Sequence, residues 1–441
     1  MLVSVVGTGY LGAVHAACMA DLGHRVVGVD VDPARVDALA DGRPPFHEPG
    51  FGDLLTRALD SGRLAFSKDL TTVAEADVHF VCVGTPQMPG SDAADLTYVD
   101  EAVDALLPLV AARAAVGHRV VVVGKSTVPV GTAQRVGAQV AAAGGVLVWN
   151  PEFLREGYAV QDTLAPDRIV YGVEPGEAGQ YGAEVLDRVY ADQLRRRTPR
   201  LVVDFPTAEM VKVAANSFLA TKISFINAMA EVCERTGADV TALAGAIGMD
   251  ERIGKKFLQA GIGFGGGCLP KDIRAFAARA EELGAGESVA FLREVDRINL
   301  RRRDRVVELA VLALDGDTAG ARVTVLGASF KPFSDDLRDS PALHVARRLH
   351  ALGADVTVTD PAALEAVALR HRELRVEADV EAAVTGADLV ILATEWREFV
   401  VLDPEVVGDL VARRNVIDAR NVLDPARWRA AGWTYRGLGK P

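Results

Sequence analysis

One cysteine stands in the run Gly261-Ile-Gly-Phe-Gly-Gly-Gly-Cys-Leu-Pro-Lys-Asp272, behind three glycines and ahead of Pro270, Lys271 and Asp272. Glycines open backbone conformations closed to other residues and let a ligand approach the main chain. A thiol in such a loop, with a cation three residues on, suits nucleophilic attack better than one buried on a helix. The competing reading of Cys268 is a small hydrophobe in a tight turn. A second polar group lies upstream, where Lys212 and Asn216 interrupt an apolar helical pattern (Val211, Val213, Ala214, Ala215, Phe218, Leu219). With Glu209 and Ile223 they fall at spacings that share one helical stripe. That stripe is either a solvated helix edge or a polar pair aimed into a cleft.

The elements that must position these groups begin at the N-terminus. Residues 2–6 (Leu-Val-Ser-Val-Val) form a continuous apolar run, as in a strand buried on both faces. Gly7-Thr-Gly-Tyr-Leu-Gly12 follows and opens a helical pattern through Leu22, and a second strand, Arg25 to Val29, ends at Asp30. This is the dinucleotide-binding fingerprint in its required setting. Gly7 permits the tight turn, Gly9 lets the pyrophosphate approach, and Gly12 allows close helix packing. Tyr10 and Leu11 fall within this turn. Asp30 would accept hydrogen bonds from ribose hydroxyls and repel a 2′-phosphate, which favours NAD over NADP. Arg35 would face either the adenine or a phosphate.

Strands and helices then alternate. Asp77–Val83, Arg119–Gly124 and Val146–Trp149 read as strands, ending in Gly84-Thr-Pro86, Lys125-Ser-Thr-Val-Pro129 and Asn150-Pro-Glu-Phe-Leu-Arg-Glu156. Such carboxyl ends are where open parallel sheets hold ligands. Thr207 to Cys233 reads as one long helix, and Arg301–Arg305 as a charged helical face. A second α/β region begins near Ala321 and echoes the first: Leu352-Gly-Ala-Asp-Val-Thr-Val-Thr-Asp-Pro361 matches the segment from Leu22 to Pro33. Its first loop, Gly327-Ala-Ser-Phe-Lys331, lacks the later fingerprint glycines, so its ligand differs. Lys331, Arg338 and Arg420 sit at its strand ends, as a phosphate-binding set would. The expected fold is α/β: two Rossmann-like doubly wound domains (1–200 and 315–441) joined by a long central helix within a helical middle domain (201–300).

The bulk numbers set limits. At 441 residues the chain exceeds one hydrophobic core. Its net charge of −12 argues against general nucleic-acid binding, so basic groups must be concentrated at any anionic ligand. The four cysteines, at 18, 82, 233 and 268, include no C-x-x-C pair, and no metal site or disulfide framework is expected. Met1 leads straight into the first strand, and no apolar run is long enough to span a bilayer. A cytoplasmic location without membrane partners fits.

In order along the chain, GTGYLG, VGTP, KSTVPVGT, NPEFLREG, KVAANSF, MDERIGKKF, GFGGGCLPKD, FKPFSDDLRDSP and DARN span nearly the whole length. In these motifs the chain resembles the UDP-glucose/GDP-mannose dehydrogenase family, on its UDP-glucose side. The resemblance implies a homodimer built on the central helix. It also implies an NAD-dependent four-electron oxidation of UDP-glucose to UDP-glucuronate through a Cys268 thiohemiacetal and thioester. Cys268 would be the nucleophile, flanked by Lys212 and Asp272. Thr127 and Glu152 would order a water, and Asn216 would hold the reacting end of the sugar. The nucleotide-sugar site would draw on Glu152, Phe153, Leu154, Arg155, Glu156, Phe257, Gly261, Gly265, Lys331 and Arg420, with Arg252 offered by the neighbouring subunit. Thr85, Thr127, Glu156, Lys271 and Arg338 would join Asp30 and Arg35 on NAD.

The chemistry explains the lone cysteine. An aldehyde is a poor hydride donor until something adds to it, and a thiolate adduct can donate the second hydride. Gly267 stands where Ser is common in the family and Leu269 where Phe is common, while Leu-Pro-Lys-Asp also occurs in the GDP-mannose branch. Arg155-Glu-Gly157 and Pro166-Asp-Arg-Ile-Val170 lean towards UDP-glucose. The alternatives are GDP-mannose or another nucleotide sugar, a two-electron hydroxyacid-type dehydrogenase, and a non-catalytic dinucleotide-binding regulator.

Overall fold

The structure is a computed structural model and describes residues 1–440. The chain divides into two compact units, residues 1–215 with 278–284, and residues 216–277 with the remainder from 285.

The first unit is built on eight strands: β1 (Leu2–Val6), β2 (Arg25–Val29), β3 (Leu64–Ser67), β4 (Val78–Val81), β5 (Val121–Gly124), β6 (Val146–Trp149), β7 (Ile169–Gly172) and β8 (Arg200–Val203). Their order is β3-β2-β1-β4-β5-β6-β7-β8. All neighbours run parallel except β6 and β7, which meet antiparallel at Trp149 and Gly172. Val3 pairs with Val26 on one side and Val78 on the other, so the chain reverses its direction of growth between β1 and β4. Strands buried on both faces need apolar residues at every position, and β4, β5, β6 and β7 are buried throughout. The expected strand Asp77–Val83 is shorter, because Cys82 onward leaves the ladder to form the loop.

The second unit carries β9 (Arg322–Leu326), β10 (Asp355–Thr359), β11 (Arg375–Val376), β12 (Leu389–Leu392), β13 (Asn415–Asp418) and β14 (Thr434–Gly437). The order is β11-β10-β9-β12-β13-β14, all parallel. The echo in the sequence is therefore an echo in topology: β1, β2 and β4 recur as β9, β10 and β12. Asp360, the counterpart of Asp30, is spent within the protein, accepting from Ala328 N at 2.8 Å and Ser329 N at 3.0 Å.

Four helices matter for the site: α1 (Tyr10–Asp21), α2 (Phe205–Thr236), α3 (Leu269–Glu282) and α4 (Phe291–Ala313). α2 begins two residues before the expected start and ends three after it, and the division between units falls inside it. The charged face expected at 301–305 needs correction. Arg302 and Arg303 are buried, at 0% and 2% exposure, because carboxylates and a carbonyl meet them inside the fold. Arg302 pairs with Glu234 at 2.8 Å, and Arg303 with Asp339 at 2.6 Å. Glu234 also accepts from Gly439 N at 3.1 Å and so ties the C-terminal segment to α2. Among the described residues no helix is long and apolar enough to cross a membrane.

Candidate active site

In the first unit the fingerprint residues close the turn from β1 into α1. A Cβ at Gly12 would overlap the Gly7 carbonyl oxygen, so only glycine lets the helix pack here, whereas the space above Gly9 is open. An open cradle beside the first amides of a helix fits a dinucleotide pyrophosphate. Asp30 ends β2 and accepts from Thr8 N at 2.7 Å, Asp32 N at 3.0 Å and Arg35 at 2.9 Å. Burial opposes its ionisation, but these donors hold its carboxyl below the usual range. Arg35 thus meets the acid itself in this structure. Tyr10 contributes more than backbone: its hydroxyl bonds Glu48 and accepts from Gly157 N at 3.0 Å. Glu48, which no motif flagged, also accepts from Gly157 N at 2.7 Å and so fastens the loop after β6 to α1.

The loops after β4, β5 and β6 follow as neighbours. The Thr85 hydroxyl donates to the Thr127 carbonyl at 2.8 Å. Glu152 pairs with Lys212 of α2 at 2.8 Å, with side chains only 13% and 5% exposed. Burial pushes the Glu152 carboxyl up, but the Lys212 charge and hydrogen bond, then Leu154 N–H and the Lys125 charge, bring it below its usual value. Phe153 lies beneath both Lys212 and Arg168. Arg155 pairs with Asp162 at 2.7 Å.

Glu209 leaves the stripe expected on α2. It accepts from Gly131 N at 2.8 Å and Ala133 N at 2.6 Å, capping the helix Thr132–Ala142. Lys212 and Asn216, one turn apart, are both buried, so the solvated-edge reading is overturned.

In the second unit Cys268 is the residue immediately before α3, exposed, with its carbonyl accepting the Asp272 N–H at 3.0 Å. A helix N-terminus is a setting that favours an anionic group. Asp272, in the first turn, accepts from Asn216 at 2.6 Å and Lys271 at 2.6 Å while almost fully buried. Cys268 therefore stands one helical turn before an acid held by an amide and an ammonium.

The preceding glycines are packed closely against backbone carbonyls and neighbouring side chains. A Cβ at Gly261 would come within 2.7 Å of the Ala419 carbonyl, and one at Gly265 or Gly267 would overlap the Asp339 carbonyl or the Arg338 guanidinium. The loop is held by residues that sequence patterns did not single out. Asn227 accepts from Gly261 N at 2.9 Å, and Asn299 brackets Phe264, accepting from its N–H and donating to its carbonyl. Arg303 donates to the same carbonyl at 2.9 Å. Arg420 spends its guanidinium on the carbonyls of Gly263, Ala393 and Phe330, and so braces the loop in this structure. Arg338 is held by Asp336. Lys331 follows β9 beside the Phe330 ring. Phe257 adopts a positive φ of 64°. Arg252, 89% exposed and paired with Asp250, takes part in none of these contacts.

Fold and site together define a dinucleotide-dependent dehydrogenase with an exposed cysteine at a helix N-terminus and a second Rossmann-like half. The chain matches the UDP-glucose/GDP-mannose dehydrogenase family in its NAD-binding domain (residues 1–193), central domain (206–301) and UDP-binding domain (324–425), and belongs to that family. It is 40% identical to the UDP-glucose 6-dehydrogenase of Rhizobium meliloti, covering all of both chains. It is 39% identical to UDP-glucose 6-dehydrogenase TuaD of Bacillus subtilis, over the whole of this chain and 93% of that one. The solved UDP-glucose dehydrogenase of Pyrobaculum islandicum superposes with a TM-score of 0.90 at 40% identity, over 100% of this chain and 98% of that one.

Proposed function

We propose that the protein oxidises UDP-glucose to UDP-glucuronate, consuming two NAD per sugar, with Cys268 carrying the substrate between the two oxidations. The observation that carries this reading is the exposed Cys268 at the N-terminus of α3, beside an Asp272 held by Asn216 and Lys271. Relatives near 40% identity named as UDP-glucose 6-dehydrogenases support the substrate.

NAD would be held by the turn Gly7–Gly12 with Asp30 and Arg35, joined by Thr85, Thr127, Glu156, Lys271 and Arg338; when bound it accepts the hydride of each oxidation. The first oxidation turns the C6 alcohol into an aldehyde. The Cys268 thiolate adds to the carbonyl carbon, and the oxygen takes up a proton to give a thiohemiacetal. Loss of a hydride and a proton gives the thioester. Water attacks, the C–S bond breaks, and carboxylate and thiolate are released. Asn216 orients the sugar, and Lys212 stabilises the oxyanion at each carbonyl addition. The ionised Glu152, with Thr127 and Asp272, orders and deprotonates the water. Residues 153–156, Phe257, Gly261, Gly265 and Lys331 line the nucleotide-sugar site, and Arg420 shapes it.

We assign residues 1–200, 201–300 and 315–441 to cofactor binding, the central catalytic and dimer segment, and UDP-sugar binding. The dimer is supported by Phe218, Phe225 and Val232, exposed at 67%, 49% and 53% and seven residues apart on α2. Arg252 would then serve the partner's site. A cytoplasmic setting keeps Cys268 a thiol.

Cys268→Ala is expected to abolish NADH formation from UDP-glucose while NAD still binds. Steady turnover in that variant would overturn the covalent route.

A further inference from the structure

The mechanism leaves the buried ammonium of Lys125 unused. This lysine follows β5 with 6% exposure, in a position where it loses its hydration. Its ammonium donates to Asn150 Oδ1 at 3.0 Å, and lies 3.4 Å from both the Asn150 carbonyl and the Tyr190 hydroxyl. The Tyr190 hydroxyl bonds Asn150 Oδ1 at 2.7 Å, and Asn150 Nδ2 donates to the Val170 carbonyl at 2.8 Å. The rings of Phe80 and Tyr190 each lie 5.9 Å from the ammonium. None of these partners is a carboxylate. Yet Asn150 is two residues from Glu152, and Lys125 and Glu152 feel each other's charge.

We propose that Lys125 is a positioning residue for hydrolysis: it fixes Asn150–Pro151–Glu152 at the end of β6 and, with Lys212, keeps Glu152 a carboxylate. This rests on the role given to Glu152 above. The groups facing the pair come from every element around it: Lys212 of α2, Cys82 after β4, Tyr190, and His15 of α1. Burial pushes the Cys82 thiol up to about 12 and lowers His15 well below its usual value, so both are neutral at neutral pH. Burial also brings the Lys125 ammonium down to about 8, so it is charged through the acid range where Glu152 titrates. The negative charge there is that of Glu152, shared between two buried ammonium groups.

The test uses Lys125→Met, Glu152→Gln and the double variant of the full chain, with thermal melting, NAD binding and the pH dependence of NADH formation. Removing the Lys125 charge should move the acid limb of turnover up by about one pH unit, leaving NAD affinity unchanged within about twofold. The double variant should melt well above the sum of the two single losses, because with Glu152 neutral the second cation only repels Lys212. Additive melting losses, or an unmoved acid limb in folded Lys125→Met, would overturn the proposal. Should Lys125→Met fail to fold, rescue by Glu152→Gln supports it and failure of the double variant overturns it. Full turnover in Glu152→Gln alone would instead remove the hydrolytic role of Glu152, and the melting cycle would still decide whether the two residues are coupled.

Discussion

At the scale of single residues, the site works by pairing groups that would be costly to bury alone. Lys212 and Glu152 illustrate it. Breaking a buried pair leaves an uncompensated charge, which costs about 3–5 kcal/mol. Lys212→Met should therefore lower stability by about that amount in urea unfolding at pH 7. The sign of its pH dependence follows from the carboxyl being held below its usual value. The stability that Glu152 contributes is present above the unfolded carboxyl value of about 4.3, and fades as pH falls through the lower folded value. In the variant the carboxyl protonates more readily. The gap between wild type and Lys212→Met should therefore narrow towards about pH 4, and a gap that stays constant would count against the pairing. Asp272 is likewise held by two donors, Asn216 and Lys271, so Asn216→Ala should loosen it and lower turnover more than NAD affinity.

At the scale of elements, the glycine loop has little structure of its own and is shaped by what presses on it. Asn299 of α4 supplies both a donor and an acceptor to Phe264, much as a neighbouring strand would. Asn299→Ala would leave a buried N–H unpaired, costing about 1–3 kcal/mol. By letting Cys268 drift it should also lower turnover by about a hundredfold with NAD binding intact. Stopped-flow NADH formation separates the two effects, and an unchanged rate would deny α4 a part in holding Cys268. This element also shows where sequence reading reaches its limit. The fingerprint turn, the alternation of strands and the lysine–asparagine pair were legible because local periodicity and fixed spacing encode them. Asn227, Asn299 and Arg303 were not, since each acts on a loop 34 to 39 residues away and no spacing records that contact. Arg302 and Arg303 even misled: four arginines in five residues have the composition of a solvated face, and only tertiary partners make two of them core residues. Glu209 failed in the same way, sharing a helical stripe with Lys212 yet serving as a remote cap.

At the scale of the whole molecule, the proposed dimer would tie assembly to activity through Arg252. Phe218, Phe225 and Val232 drift only slightly around α2 at a spacing of seven, and such an exposed apolar stripe calls for a partner. In a two-fold dimer each substitution is counted twice. Phe225→Glu, at about 2 kcal/mol per buried ring, should cost about 4 kcal/mol and raise the dimer dissociation constant about a thousandfold, seen as a shift to monomer in light scattering. Whether the partner also completes the site is decided by mixing two inactive variants, Cys268→Ala and Arg252→Ala. If Arg252 acts on the partner's substrate, a mixed dimer has one intact site, because the Arg252→Ala chain keeps Cys268 and receives Arg252 from its neighbour. Random reassortment makes half the dimers mixed, so activity should return to about a quarter of the wild-type level. If Arg252 acts on its own chain, every mixed site lacks one residue or the other and the mixture stays inactive. The exposed Arg252, with its guanidinium on Asp250 rather than on any group of the loop, favours the first outcome.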